Sequence, residues 1–588
     1  MLNDTTAIEA LALLGVSLLA QSREGEAVGV YRNLTQLQPR HAAHWVNLGT
    51  ALRRLARLDE ALAAYIEAAA LGESSASFLY NVGLLHQDRG DYESARRVLA
   101  DAVQKAPNDL EIRLQYAQCC YESLHIEAAT SALSAWQQLG AASSEQLAAI
   151  ALLLLNLGES EAAARAAAKA AADPMPVART LLRLAQVQER SNRVSEAKAT
   201  LGRLRDRPDA AALGADLQLL EAQIDLRQGR HEQASQRFQE LAAGCPEAHR
   251  KHLYLFPLAK ALDARQRYDE AYRSLMDAHE AQLLHLGRTN PDAAGLKEPP
   301  LLITRYGCTS ADIAAWDESD APPTEASPVF IVAFPRSGTT LLEQMLDAHP
   351  ALVSMDEQPF LQQAIDQIAD LGVDYPAALA RLTTTQLAQV RTHYWSLTRR
   401  KVQLAPGQRL IDKNPLNLLR LPGIRRLFPN AQILLAIRHP CDVVLSCFMQ
   451  HFRSPEFALL CRDLPTLARG YVRSFDFWYG QLPLLQPAVR EIRYENLVAD
   501  FEAESRAITA FLGLDWADAQ LAPAAHALAK GFISTPSYAQ VIEPVNRRAV
   551  GRWHNYAPIF SDAMPVLQPY LDRWSYPASA ADSKQEVG

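Results

Sequence analysis

The stretch Pro328–Pro350, PVFIVAFPRSGTTLLEQMLDAHP, decides how the C-terminal half is read. Its opening run, Pro328 to Phe334, is short and apolar, as a strand buried on both faces would be. A turn follows, Phe334-Pro335-Arg336-Ser337-Gly338-Thr339-Thr340, and then an amphipathic helix from Leu341 to Ala348. A strand, a glycine-bearing turn and a helix entrance make an anion cradle, because free backbone N–H groups and the helix dipole point at one spot. Ser and Thr hydroxyls add donors, and Arg336 adds a planar fork of charge. A nucleoside-triphosphate loop would read G-x4-G-K-[ST]. Here the first glycine is missing and Thr339 stands where the lysine belongs, which disfavours ATP or GTP hydrolysis.

Downstream, strand-like runs recur at Arg409–Asp412 (RLID), Gln432–Ile437 (QILLAI) and Val489–Arg493 (VREIR), with helical stretches between them. That alternation predicts a mostly parallel sheet covered on both faces. Upstream, the stretch from Gly287 to Ser327 carries Pro291, Pro299, Pro300, Pro322 and Pro323 and reads as a linker or wrapping segment.

The N-terminal half has a period. Small residues recur in pairs: Gly15/Ala27, Gly49/Ala61, Gly83/Ala95, Ala117/Ala129, Ala151/Ala163 and Ala185/Ala197, each pair 34 residues after the last. Ala222/Ala234 and Ala259/Ala271 continue it at an offset of 37. The second unit reads Trp45, Leu48, Gly49, Ala61, Tyr65 and Ala68. This pattern resembles the tetratricopeptide repeat, in which small residues let two antiparallel helices approach and neighbouring units bury each other's apolar faces.

The 588 residues are 49% hydrophobic and 21% charged, with a net charge of −8, so bulk electrostatics do not suggest nucleic-acid binding. Any anion site must be a local basic cluster. Seven cysteines without CxxC spacing indicate neither a disulfide framework nor zinc, and His349, His439, His451 and His554 show no metal spacing. Asp4 and Glu9 precede the apolar run Ala10–Ala20, unlike a secretory leader, and no apolar run is long enough to span a membrane. The expected location is cytoplasmic.

Two motifs in order give the C-terminal half its resemblance. Pro335–Pro350 is similar to the 5′-phosphosulfate loop of the sulfotransferase superfamily. Ile433–Ser446, ILLAIRHPCDVVLS, resembles its 3′-phosphate site, where an Arg ends a strand and a Ser lies eight residues later; Arg438 and Ser446 hold those places. The protein-tyrosine branch is the most similar. Glu357 follows Arg336 by 21 residues, Lys413 stands in Asp412-Lys413-Asn414-Pro415, and Tyr494 opens Tyr494-Glu495-Asn496-Leu497-Val498. Ser537 precedes Gln540–Asn546, and Arg552-Trp553 follows.

The resemblance implies an all-α tetratricopeptide-repeat solenoid (1–280), a linker (281–327), an α/β P-loop-like sulfotransferase domain with a mostly parallel sheet (328–577) and a polar tail (578–588). It implies 3′-phosphoadenosine 5′-phosphosulfate (PAPS) as donor, adenosine 3′,5′-bisphosphate (PAP) as product, and no metal. Arg336, Ser337, Gly338, Thr339 and Thr340 would hold the 5′-phosphate, and Lys413 the bridging oxygen. Arg438 and Ser446 would select the 3′-phosphate, with Arg552 closing over it and Tyr494 against the nucleotide. Ser537 would contact the sulfuryl or 5′-phosphate end, and Glu357 would be the general base, with Asp356 as its rival. The acceptor implied is a hydroxyl, foremost a tyrosine in a peptide or protein held by the repeats. A glycan, lipid or small-molecule hydroxyl is the alternative, and a non-enzymatic repeat scaffold a third reading. Pro359 and Gln363 stand where the animal enzymes carry arginines that grip acidic residues, a departure that bears on acidic-tyrosine specificity. No nucleic acid or membrane insertion is expected, and a homodimer stays open.

Overall fold

The computed structural model describes residues 4–138, 142–290, 307–530 and 541–578. Its chain forms two compact units. The first comprises Met1–Val187, Ser195–Leu217 and Leu284–Gly295. Helices there come in packed pairs: Asp4–Ala20 with Glu24–Leu37, Ala42–Arg54 with Leu58–Ala70, Ala76–Asp88 with Tyr92–Lys105, and Ser144–Asn156 with Ser160–Ala171. The period has a packing cause. A Cβ on Gly49 would lie 2.4 Å from the Tyr65 ring, so a glycine on the first helix makes room for the aromatic residue on the second. Tyr65 is thereby buried, and a buried side chain of this size contributes about 1.5–3 kcal/mol. Ala27, Ala61, Ala95 and Ala129 are all fully buried, so the second small position of each pair is a close helix contact. Asp91 and Asp109 start their helices by accepting hydrogen bonds from the backbone N–H groups of Ser94 and of Glu111 and Ile112.

The second unit comprises Gln188–Val194, Gln218–Leu283 and Leu296–Gly588. It contains most of the last repeat helices, α1 (His252–Ala264) and α2 (Tyr268–Thr289). Its sheet is wholly parallel, in the order β2-β3-β1-β4-β5. The strands are β1 (Val329–Val332), β2 (Leu352–Ser354), β3 (Arg409–Lys413), β4 (Gln432–Ile437) and β5 (Ala488–Arg493). The central strand divides its side chains by parity. Phe330, Val332 and Phe334 enter one core, while Val329, Ile331 and Ala333 enter the other with Met345, Leu346 and Ile508. This is why the run is apolar throughout instead of alternating. The larger core continues without a break from Ala222, Phe238 and Leu258 of the repeat region to Trp478 and Trp574. The other helices that matter for function are α3 (Thr339–Asp347), α4 (Pro440–Phe448), α5 (Tyr494–Ala499) and α6 (Pro523–Lys530).

Residues 291–306 of the expected linker and 579–588 of the expected tail lie outside the described residues. Residues 281–289, expected to open the linker, instead continue α2, because the helical apolar spacing runs on through Leu283 and Leu286; residues 307–327 pack on the second unit. The Cys308 N–H donates to Gln481 Oε1 at 2.8 Å, and Arg426 Nη1 donates to the Asp317 carbonyl at 2.7 Å. Among the described residues, no helix is long and apolar enough to cross a membrane, and no cluster of three or more His, Cys, Asp or Glu could hold a metal.

Candidate active site

Helix α3 starts at Thr339 because Gly338 takes a left-handed φ of 91° as its N-cap. Glycine is needed there twice over. The φ is strained for other residues, and a Cβ would lie 2.4 Å from the Tyr494 ring. Tyr494, first residue of α5, therefore packs directly on the cradle. Arg336 also has a positive φ, 72°, which an ordinary residue adopts only at a cost. Its Nε donates to Ser446 Oγ on α4 at 3.2 Å. Burial, then the nearby Arg438 and Arg552 charges, depress its pKa, against the opposing pull of Cys447 and Glu357. The Ser337 hydroxyl turns back to donate to the Phe334 carbonyl at 2.7 Å, bracing the turn. Thr339 and Thr340 are buried in the first turn of α3.

Arg438 follows directly on β4 and gathers the same region. Its Nη1 donates to the Arg336 carbonyl at 3.3 Å, its Nη2 to the Ala549 carbonyl, and its guanidinium lies 4.9 Å from the centre of the Tyr494 ring. Asp442 on α4 sits 3.7 Å from Arg438 and also accepts from the backbone N–H groups of Gly551, at 2.8 Å, and Trp553, at 2.9 Å. The strand-end arginine and the segment bearing Arg552 are thus tied to one carboxylate. Arg552 itself points at the repeat region: its Nη2 donates to Asp263 Oδ2 on α1 at 2.5 Å.

On the other flank, β3 delivers Lys413 into a wholly buried position between two carboxylates. Its Nζ is 2.6 Å from Glu357 Oε1 and 3.1 Å from Glu343 Oε2. Burial alone would lower the Lys413 pKa, but the two carboxylates outweigh it and hold the ammonium above the usual lysine range. Burial pushes the Glu343 carboxyl up, Lys413 opposes that, and Ser354 Oγ donates to its Oε1 at 2.5 Å. Asp356, the rival of Glu357, is engaged elsewhere: Lys530 of α6 lies 3.2 Å from both Asp356 and Asp347. Ser537 lies outside the described residues.

Two residues of this site were not singled out in the sequence. Glu343 lies in the quoted stretch but has the look of a solvent-facing residue in an amphipathic helix; it is fully buried. Its signal was positional, one helical turn beyond Thr339 and so beside the cradle. Lys530 carried no signal, because its partners are 174 and 183 residues away.

Comparison with known proteins agrees with this architecture. Residues 328–518 match the sulfotransferase family, and residues 12–77, 87–153 and 179–210 match tetratricopeptide repeats. An uncharacterized protein of Aquifex aeolicus is 25% identical over 325 residues, covering 53% of this chain and 41% of that protein's length. Protein-tyrosine sulfotransferase 2 of Gallus gallus is 29% identical over 272 residues, covering 42% of this chain and 69% of the relative. Among solved structures, the sulfotransferase domain from the curacin biosynthetic pathway is 20% identical, covering 44% of this chain and 99% of that domain, with a TM-score of 0.30. The chain therefore carries tetratricopeptide repeats followed by a domain of the sulfotransferase family.

Proposed function

We propose that this protein transfers a sulfuryl group from PAPS to a hydroxyl, foremost a tyrosine hydroxyl in a peptide or protein. The observation that carries the reading is the convergence of Arg336 and Arg438 at one cradle, with the Lys413–Glu357 pair alongside. The donor fits this residue set on a specific point: Arg438 Nε is buried and has no hydrogen-bond acceptor among the described residues, as suits a group meant for a phosphate oxygen. Arg336, Ser337, Gly338, Thr339 and Thr340 would hold the 5′-phosphate, and Arg438, Ser446 and Arg552 the 3′-phosphate, with Tyr494 against the nucleotide.

In the transfer, the acceptor oxygen bonds to sulfur as the bond from sulfur to the bridging oxygen breaks. Glu357 takes the hydroxyl proton, and Lys413 and Arg336 meet the charge that develops on the leaving phosphate. Glu343 gives Lys413 a second carboxylate, so the ammonium keeps a partner when it turns from Glu357 to the leaving oxygen. Ser537 stays a proposed contact of the sulfuryl or 5′-phosphate end. The peptide reading draws on the relatives' names and on the fondness of repeat arrays for extended chains. Pro359 and Gln363 favour the second reading, a glycan, lipid or small-molecule hydroxyl. Incubating the purified chain with labelled PAPS and a cell extract, then identifying labelled products by mass spectrometry, tests both. Absence of any transfer from chain that binds PAP would defeat the activity.

A further inference from the structure

Helix α1 belongs to the repeat pattern by sequence, yet one stripe of it faces the site just described. Phe256, Lys260 and Asp263 follow at spacings of four and three, which puts them on one side of the helix. Phe256 is buried and stacks on His451, ring centres 5.2 Å apart. At the other end, Asp263 accepts from Arg552 Nη2 at 2.5 Å and from the Tyr556 hydroxyl at 2.8 Å. Helix α2 secures the pair against α4, the helix that carries Ser446. His279 Nε2 lies 2.8 Å from the Phe448 carbonyl, and Gln282 Nε2 donates to the Phe452 carbonyl at 2.5 Å.

Lys260 sits between the two anchored ends of that stripe. Its side chain is exposed, one helical turn from the Asp263 that holds Arg552. Burial and then the charges of Arg336, Arg227 and Arg552 hold its pKa below the usual lysine range, against a weaker pull from Glu189. Like charges gathered in one place repel one another, and an anion bound among them removes that cost.

We propose that α1 forms a wall of the donor site: Lys260 binds phosphate or sulfonate oxygens beside Arg336, and Asp263 is a positioning residue that aims Arg552. The proposal rests on the donor reading above, but it adds that the site is incomplete without the repeat region.

The test uses the full chain, with PAP binding followed by calorimetry at low and high salt and KM for PAPS measured alongside. Lys260→Met should weaken PAP binding about tenfold at low salt, with a smaller difference at high salt. If Lys260 holds the sulfonate instead of a phosphate, PAP binding is unchanged and KM for PAPS rises by a similar factor. If neither moves, Lys260 has no part in the site. Asp263→Asn should also weaken PAP binding about tenfold, and adding it to Arg552→Gln should cause no further loss. Full additivity of those two losses, or no loss in Asp263→Asn, would overturn the positioning role. Wild-type chain that binds no PAP would strike the donor reading itself, a separate result from either failure.

Discussion

The two units are held together on different length scales. In the first, the decisive contacts are local: Gly49 receives Tyr65 sixteen residues later, and the same spacing recurs unit after unit. In the second, Lys413 meets Glu357 across 56 residues, Arg336 meets Ser446 across 110, and Arg552 meets Asp263 across 289. Local repetition yields stability that is a sum of neighbours. A site assembled from distant segments is instead all or nothing, since each charged group depends on partners that other elements deliver. Damage should therefore stay local in the first unit and spread through function in the second.

The largest effect should come from the site. Glu357→Gln keeps the shape of the side chain and removes the proposed base, so transfer from PAPS should fall about 10²–10⁴-fold while PAP binding persists. Single-turnover kinetics with labelled PAPS would show it; unchanged turnover would hand the role to another group, Asp356 first. Next comes the local break. Gly49→Leu forces a side chain into the Tyr65 ring and should cost about 3 kcal/mol in denaturant unfolding of the first unit. PAP affinity should stay within about twofold, because Gly49 belongs to the first unit and the cradle residues to the second. A comparable loss of PAP binding would mean that the contrast between the units is false.

The same contrast governs what could be read from the sequence. The repeat was legible because its cause recurs every 34 residues, and the cradle was legible because strand, turn and helix are contiguous. Strand β4 was read at its observed bounds, and β3 and β5 to within one residue. Strand β2 was not read, since three residues, Leu352–Ser354, carry too little pattern to separate a strand from a turn. At the site, residue types and spacings named Arg336, Lys413, Glu357 and Arg438, but they could not say who pairs with whom. Glu343 as a second partner of Lys413, and Asp263 as the partner of Arg552, depend on how distant segments meet. Nothing periodic records that.

The smallest effect sharpens the comparison from the opposite side, because it tests a repeat helix that behaves as part of the second unit. His279 is buried between Phe256 and Phe448, and burial lowers its pKa to about 4 from an ordinary 6.5, the hydrogen bond to the Phe448 carbonyl opposing. Its Nδ1 is buried without a partner among the described residues, so a second proton would sit on a nitrogen that has nothing to donate to. The folded pKa lies below the unfolded one. Between about pH 6.5 and 4 the unfolded chain thus binds more protons, and stability falls as pH falls through that window. From pH 7.5 to 5 this one group should remove about 2 kcal/mol. His279→Gln can still donate to the Phe448 carbonyl but does not titrate. It should be somewhat less stable at pH 7.5 and lose about 2 kcal/mol less than wild type on acidification to pH 5, measured by urea unfolding of the second unit. Equal losses in the two proteins would mean that His279 is already solvated, and that the last repeat helices are not sealed against the core of the sheet.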